Sequence, residues 1–276
     1  MVKTLLIQPI FAPDEARYQR NLASARSLIE RASSDTEAFA CLFGGWGRPD
    51  LIAQLSDFIA HNVPNQLAPP RLFESNIGKA AVTNALYRDH VQSRDDIEHL
   101  WLIDSDMLLQ EPADVQAALL VELANAFGDA QGRPAGLLSL AQAEHNCHVS
   151  AISENEVAIR LSDGSVQTVL YPNKPSGIAG GCILVSRAAW EAVEGYRELG
   201  VYAGEDGWLV YMIGHAGFAY GVAADIAVVH PYDGDVRYIE WKRDASQTFN
   251  HESHYTQSRE HADDFWLSDL LGEPNS

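Results

Sequence analysis

Residues 100–109 read LWLIDSDMLL: four bulky apolar residues, then Asp104-Ser105-Asp106, then apolar residues again. Residues 100–103 are apolar on both faces, as a central strand of a parallel sheet must be when helices cover it on two sides. In extended chain, residues two apart point to the same side, about 6.5 to 7 Å apart along the strand. Asp104 and Asp106 can therefore address one ligand from the carboxyl end of the sheet, where open α/β sheets bind ligands. Two carboxylates that close repel and raise one another's pKa unless a cation or hydrogen-bond donors offset the charge. A hard divalent cation held by oxygen ligands meets that need. The alternative for the pair alone is a strand end that emerges into solvent.

Outward from this strand, strands alternate with helical patterns, the signature of a largely parallel sheet covered by helices. Residues 3–10 and 38–43 read as the first two strands, and 21–32 and 51–61 as helices by their apolar spacing. Gly44, Gly45 and Gly47 are expected to break the chain after the second strand. Residues 71–74 form a short third strand after Pro69-Pro70, and 78–88 carry a helical pattern. After Pro112 a helix runs to about residue 127, followed by a strand at 136–140. Residues 149–170, with the turn Ser162-Asp163-Gly164-Ser165, alternate as an antiparallel hairpin does. The last residues, 260–276, carry five acids and no lysine or arginine, which predicts a loosely docked tail.

Composition bounds the function. The chain has 276 residues, enough for one large α/β domain or two small ones, and its 46% hydrophobic content can fill a sizeable core. A formal charge of −19 argues against broad contact with nucleic-acid phosphates or an anionic membrane, both of which attract basic faces. The three cysteines, Cys41, Cys147 and Cys182, lack close spacing and read as buried thiols in a reducing compartment. The amino terminus, MVKTLLIQPI, is too short for a secretory apolar segment. No apolar run reaches the roughly 18 residues of a membrane span. A cytoplasmic location is the resulting expectation.

Further blocks join the DSD strand. NIGKAAVTN places Asn76, Gly78 and Asn84 at offsets zero, two and eight, upstream of DSD. GIAGGCILVSRAAWEAVEGY spans residues 177–196, GEDGWLVYMIGHAGF spans 204–218, and AVVHPYD spans 227–233. In this order and spacing the blocks resemble the GT-A glycosyltransferases, particularly glycosyltransferase family two. The resemblance covers most of residues 70–233. It implies an α/β fold of GT-A (Rossmann-like) type, a mainly parallel mixed sheet flanked by helices with an antiparallel acceptor-side portion. Residues 1–135 would form the nucleotide-sugar-binding half, 136–250 the acceptor and catalytic half of the same domain, and 251–276 an acidic tail.

The resemblance also implies an activity: transfer of a sugar from a nucleotide-diphosphate sugar to an acceptor hydroxyl, with inversion, using Mn²⁺ or Mg²⁺. Asp104 and Asp106 match the DxD motif, which would hold the metal on the diphosphate and contact the ribose or donor sugar, and His230 falls where relatives place a further metal or diphosphate ligand. Asp206 matches the general base, with Glu205 beside it to bind or orient the acceptor. Pro9, Arg71, Asn76, Lys79, Ser105, Gly180 and Gly181 complete the donor-binding set with the two aspartates. UDP is the leading donor nucleotide by frequency. A glycan, a lipid, a protein, a metabolite and a modified nucleobase stay open as acceptors.

The chemistry of these residues agrees with such roles. Glycosyl transfer passes through an oxocarbenium-like state while negative charge builds on the departing diphosphate, and a bridging metal stabilises that charge. The acceptor hydroxyl must lose its proton to a carboxylate within hydrogen-bond reach. Each residue also has an ordinary explanation. Glu205-Asp206 suits the first turn of any helix, Gly180-Gly181 suits a turn, Lys79 suits a solvated surface, and His230 suits a loop or core.

The chain departs from the family in two places. Gln8-Pro9-Ile10-Phe11 follows the first strand where relatives have Thr or Ser and an Asn. Gly44-Gly45-Trp46-Gly47 follows the second where relatives place an acid near the base, leaving Trp46 as a candidate to stack on it. Histidines cluster at His145 and His148 and again at His251, His254 and His261, as structural or surface groups. Tyr232, Tyr238 and Trp241 are candidates for a sugar-stacking face. Two other functions remain: a haloacid-dehalogenase-like phosphatase using the DSD strand, and a GT-A protein that binds a nucleotide or glycan without turnover. The phosphatase pattern calls for Thr or Val where Leu108 stands.

Overall fold

The computed structural model describes residues 4–30, 38–142, 155–173, 178, 180–198, 200, 201, 205–231 and 240. The elements are β1 (Thr4–Ala12), α1 (Glu15–Glu30), β2 (Phe39–Gly47), α2 (Pro49–Asn62), β3 (Arg71–Leu72), α3 (Gly78–His90), β4 (His99–Ile103), α4 (Ala113–Gln131), β5 (Ala135–Gln142), β6 (Asn155–Arg160), β7 (Val166–Tyr171), β8 (Cys182–Ser186), α5 (Arg187–Ala192), α6 (Glu205–His215) and β9 (Ala219–Val228). The nine strands form one sheet in the order β3-β2-β1-β4-β8-β5-β9-β7-β6.

Strand β4 is buried along its whole length, as its apolar sequence requires. Trp101 and Ile103 pack on one face with Leu22, Leu28, Leu55 and Leu120, from α1, α2 and α4. Leu100 and Leu102 pack on the other with Leu86, Trp190 and Leu209, from α3, α5 and α6. The same alternation runs along β1, where Leu6 and Ile10 face the first group and Leu5 and Ile7 the second. Each such side chain removed from water stabilises the fold by about 1.5–3 kcal/mol, so the two faces hold the helices on opposite sides of the sheet.

Strands β1, β2, β3 and β4 run parallel, and β5 runs parallel to β9. The other four pairings are antiparallel, and all of them involve β8 or β7. β8 lies between β4 and β5, so residues on either side of position 135 share one continuous sheet. The predicted hairpin is present as β6 and β7, whose turn is closed by the Leu161 N–H donating to the Ser165 carbonyl at 2.9 Å.

One expectation is corrected. Gly44, Gly45 and Gly47 do not break the chain but extend β2 beside the end of β1, pairing with Pro9, Ile10 and Ala12. A Cβ at Gly45 would lie 1.7 Å from the Ile10 carbonyl oxygen. Glycine is needed there because the two backbones approach too closely for a side chain, not because the strand ends.

Cys41 and Cys182 are buried free thiols, as expected, and burial pushes both up to about 12. Among the described residues no helix is long and apolar enough to cross a membrane. Cys147, the histidine clusters at 145–148 and 251–261, Tyr232, Tyr238, Trp241 and the acidic tail lie outside the described residues.

Candidate active site

The strand order reverses between β1 and β4: from β1 the chain crosses to β2 and β3 on one side, and later to β4 on the other. Ligands bind at such switch points in open α/β sheets, beyond the carboxyl ends of the strands. A cleft of about 150 Å³ lies there, lined by Pro9, Phe11, Arg17, Asn21, Trp46, Lys79, Asp104, Ser105, Asp106, Val201, Glu205, Asp206 and His230.

β4 ends at Ile103, so the DSD sequence forms a turn rather than continuing the pleat. The turn is pinned by its backbone. The Asp104 N–H donates to the Gly181 carbonyl at 2.8 Å, and the Met107 N–H donates to the Asp104 carbonyl at 3.2 Å. Leu108 and Val229 exchange hydrogen bonds of 2.9 and 3.0 Å, which brings His230 beside the turn. From below, Gln8 Nε2 donates to the Asp104 carbonyl at 3.2 Å and the Ser24 hydroxyl to the Met107 carbonyl at 2.6 Å. Both aspartates line one cleft, but the turn brings them there in place of the expected strand alternation.

Lys79, in the first turn of α3, ties the two acidic segments together. Its Nζ lies 2.8 Å from Asp104 Oδ1 and 2.9 Å from both carboxylate oxygens of Asp206, and donates to the Gly180 carbonyl at 3.2 Å. Its side chain is only 16% exposed. Burial opposes the charge on such an ammonium, but Asp104 and Asp206 outweigh it and hold Lys79 well above its ordinary value. Burial likewise raises the carboxyls of Asp104 and Asp206, against the pull of Lys79. Lys79 is thus a charged, partnered group and not a solvated side chain.

Asp106 has different neighbours. Its Oδ2 lies 3.5 Å from Arg17 Nη1 and 3.6 Å from His230 Nε2. Glu205 and Asp206 occupy the first turn of α6, where the helix dipole favours acids. Gly180 and Gly181 sit against these acids: a Cβ at Gly180 would lie 1.9 Å from Asp206 Cγ, and one at Gly181 2.1 Å from Met107 Cε and 3.4 Å from Asp104 Oδ2. The absent side chain at Gly180 leaves room for Asp206 to reach Lys79.

Four predicted donor residues lie outside this lining: Gly180 and Gly181, which back onto Asp206 and Met107, and Arg71 and Asn76. Arg71 starts β3, where it pairs with Asp89 and lies over the Phe73 ring at 4.7 Å. The side chain of Asn76 accepts from the Gly78 N–H at 3.0 Å and shapes the entry to α3. Trp46 does line the cleft, 8% exposed, with its ring 5.1 Å from that of Phe11.

Sequence reading missed Arg17 and Tyr196. Arg17 has no motif around it, and its 4% exposure is visible only once α1 is packed against the DSD turn. Tyr196 ends a block that the family resemblance already marked, yet nothing in sequence announced that its hydroxyl donates to Asp206 Oδ1 at 2.8 Å.

No protein-family model matches the chain, and no curated protein sequence matches it. Solved structures do. The mannosyltransferase PcManGT from Pyrobaculum calidifontis, in complex with GDP-Man and Mn²⁺, superposes with a TM-score of 0.56 at 13% identity, covering 94% of this chain and 64% of that one. TarS residues 1–349 from S. aureus superpose with a TM-score of 0.54, and the same protein with UDP with 0.55. Each TarS match has 12% identity and covers 83% of this chain and 60% of the other. The chain has the GT-A fold. At these identities the likeness is one of architecture, and this chain spans about three fifths of the length of those chains. Within the GT-A sheet, the cleft at the β1–β4 switch point is the candidate active site.

Proposed function

We propose that this protein is a metal-dependent glycosyltransferase that moves a sugar from a nucleoside diphosphate sugar to an acceptor hydroxyl, with inversion. The observation that carries the reading is the grouping of Asp104, Asp106, His230, Lys79 and Asp206 in one cleft at the switch point of a GT-A sheet. The neighbours solved with GDP-Man and Mn²⁺ and with UDP support it by analogy of fold.

Among the described residues no cluster of three or more His, Cys, Asp or Glu side chains is placed to hold a metal by itself. A site made by Asp106, His230 and substrate is nevertheless chemically suitable. Mg²⁺-type sites use one or two protein carboxylates beside phosphate oxygens and waters, and Asp106 and His230 approach to 3.6 Å. Bound there, Mn²⁺ or Mg²⁺ would supply positive charge to the departing diphosphate.

The chain's own residues do the rest. Lys79 and Arg17 add two cations to a cleft that also holds the carboxylates of Asp104, Asp106, Glu205 and Asp206. A donor diphosphate competes with Asp104 and Asp206 for the Lys79 ammonium, and the release of Asp206 leaves it able to accept a proton. The acceptor oxygen then attacks the anomeric carbon, its proton passes to Asp206, and the bond to the diphosphate breaks with its electron pair on the leaving group. Phe11 and Trp46, at the ends of β1 and β2, offer an apolar face to the base. UDP-sugars are the first donors to test and GDP-sugars the second.

A donor-hydrolysis assay tests the activity without knowledge of the acceptor. In Mn²⁺, a matching sugar nucleotide is expected to release nucleoside diphosphate and free sugar slowly to water. Release of phosphate from simple phosphomonoesters with no such leak would point to the phosphatase instead. Tight nucleotide-sugar binding without either product would point to a binding protein.

A further inference from the structure

Asp206 has two described hydrogen-bonding partners, and only one of them lies outside the donor side of the cleft. Lys79 straddles both carboxylate oxygens, but it also holds Asp104 and so belongs to the donor side of the cleft. The second partner is the phenol of Tyr196, whose hydroxyl donates to Oδ1 at 2.8 Å. We infer that Tyr196 is a positioning residue for the general base: its hydroxyl fixes Oδ1 and leaves Oδ2 as the oxygen that takes the acceptor proton. The inference rests on the transferase reading of Asp206.

Tyr196 is itself held from outside the cleft. Asn84, buried on α3, grips its backbone at both ends: the Asn84 amide donates to the Tyr196 carbonyl at 2.8 Å, and the Tyr196 N–H donates to Asn84 Oδ1 at 3.0 Å. The ring stands edge-on to Trp190, centroids 5.4 Å apart at 86°, and Trp190 in turn packs against Tyr87 at 5.6 Å. Tyr196 is 3% exposed, so it cannot swing into water. A side chain fixed by a two-point backbone clamp and an aromatic wall has one orientation available to its hydroxyl.

The geometry also divides the labour between the two carboxylate oxygens. A carboxylate offers about four lone-pair sites. Tyr196 and Lys79 both occupy Oδ1, whereas the only described partner of Oδ2 is Lys79. When Lys79 turns to a donor phosphate, Oδ1 keeps its phenol bond and Oδ2 is left open. Burial holds the phenol well above its ordinary pKa, so it remains a donor across the working range. The second asparagine of NIGKAAVTN thereby acquires a physical role at a distance: Asn84 holds Tyr196, and Tyr196 orients Asp206.

Tyr196→Phe keeps the ring and its packing and removes only the hydroxyl. It is expected to lower kcat at least about tenfold, with the donor KM unchanged within about twofold, because misplacing a base slows the chemical step without altering donor binding. A kcat within about twofold of the parent overturns the inference. A second measurement needs no turnover: a cycle of Tyr196→Phe, Asp206→Ala and the double variant, read as melting temperature. The bond predicts non-additivity of at least about 2 °C. An additive cycle overturns the inference whatever the activity. A non-additive cycle in a parent protein that turns over no donor counts against the transferase reading and leaves the hydrogen bond standing.

Discussion

Replacing Asp206 with asparagine is expected to lower sugar transfer by about 10²- to 10⁴-fold, the contribution of a positioned general base. Asparagine is nearly isosteric and its carbonyl can still accept from the Tyr196 hydroxyl, but it cannot take a proton. Donor affinity, measured by calorimetry, should hold or rise, because the diphosphate then competes with one carboxylate fewer for the Lys79 ammonium. The pH profile carries the same information. Burial holds the Asp206 carboxyl above its ordinary value, opposed by Lys79 and reinforced by Asp104. A base must be unprotonated to act, so turnover should climb as pH rises through that elevated pKa and fall away below it. Asp206→Asn should lose this limb along with the rate. A variant with normal transfer and a normal profile would remove Asp206 from the chemistry.

The second large effect is expected at Asp106. Asp106→Ala should abolish the dependence of donor binding on Mn²⁺ or Mg²⁺ and weaken binding in the presence of metal. Losing even an outer partner of a metal ligand costs about 10- to 100-fold in metal affinity, and losing a ligand should cost at least that. The substitution also deprives Arg17, whose side chain is 4% exposed, of a counter-charge. Asp106→Asn is the control, since it preserves volume and hydrogen bonding while removing the charge. If both variants bind donor as the parent does and respond equally to metal, the DSD turn does not hold the diphosphate site.

The parts of this architecture that were legible in sequence depend on local pattern. β4 was readable because burial on both faces leaves no polar position between His99 and Asp104, and the β6–β7 hairpin because one solvated face forces alternation. The glycines at 44–47 were misread for a physical reason. A strand that needs glycine for close backbone approach looks, in one dimension, the same as a turn that needs glycine for its dihedral angles. The insertion of β8 between β4 and β5 was invisible, since strand order is set by packing between residues some 80 positions apart, as Trp101 and Cys182 are.

The candidate site divides in the same way. Asp104, Asp106 and the Glu205-Asp206 pair stood out through the order of the blocks around them, since acids at a strand end or in a helix's first turn are ordinary on their own. Lys79 belonged to the expected donor-binding set, but its place between two carboxylates emerges only when α3 and α6 pack together. Arg17 had no local mark, and although Tyr196 closes a block of the resemblance, the link of each to an acid of the cleft shows only once the fold is assembled. Arg71 matched a family position but is paired with Asp89 beside β3.

Thermal denaturation of the intact protein with a panel of UDP- and GDP-sugars, each with and without Mn²⁺, is the most direct measurement. A ligand that binds only the native state at about 100 times its Kd adds about 2.7 kcal/mol, or about 5 to 10 °C in a domain of this size. One sugar nucleotide should raise the melting temperature by that order in Mn²⁺, and a chelator should remove the effect. If no sugar nucleotide shifts the transition with either Mn²⁺ or Mg²⁺ present, the cleft at the β1–β4 switch point is not a metal-dependent donor site.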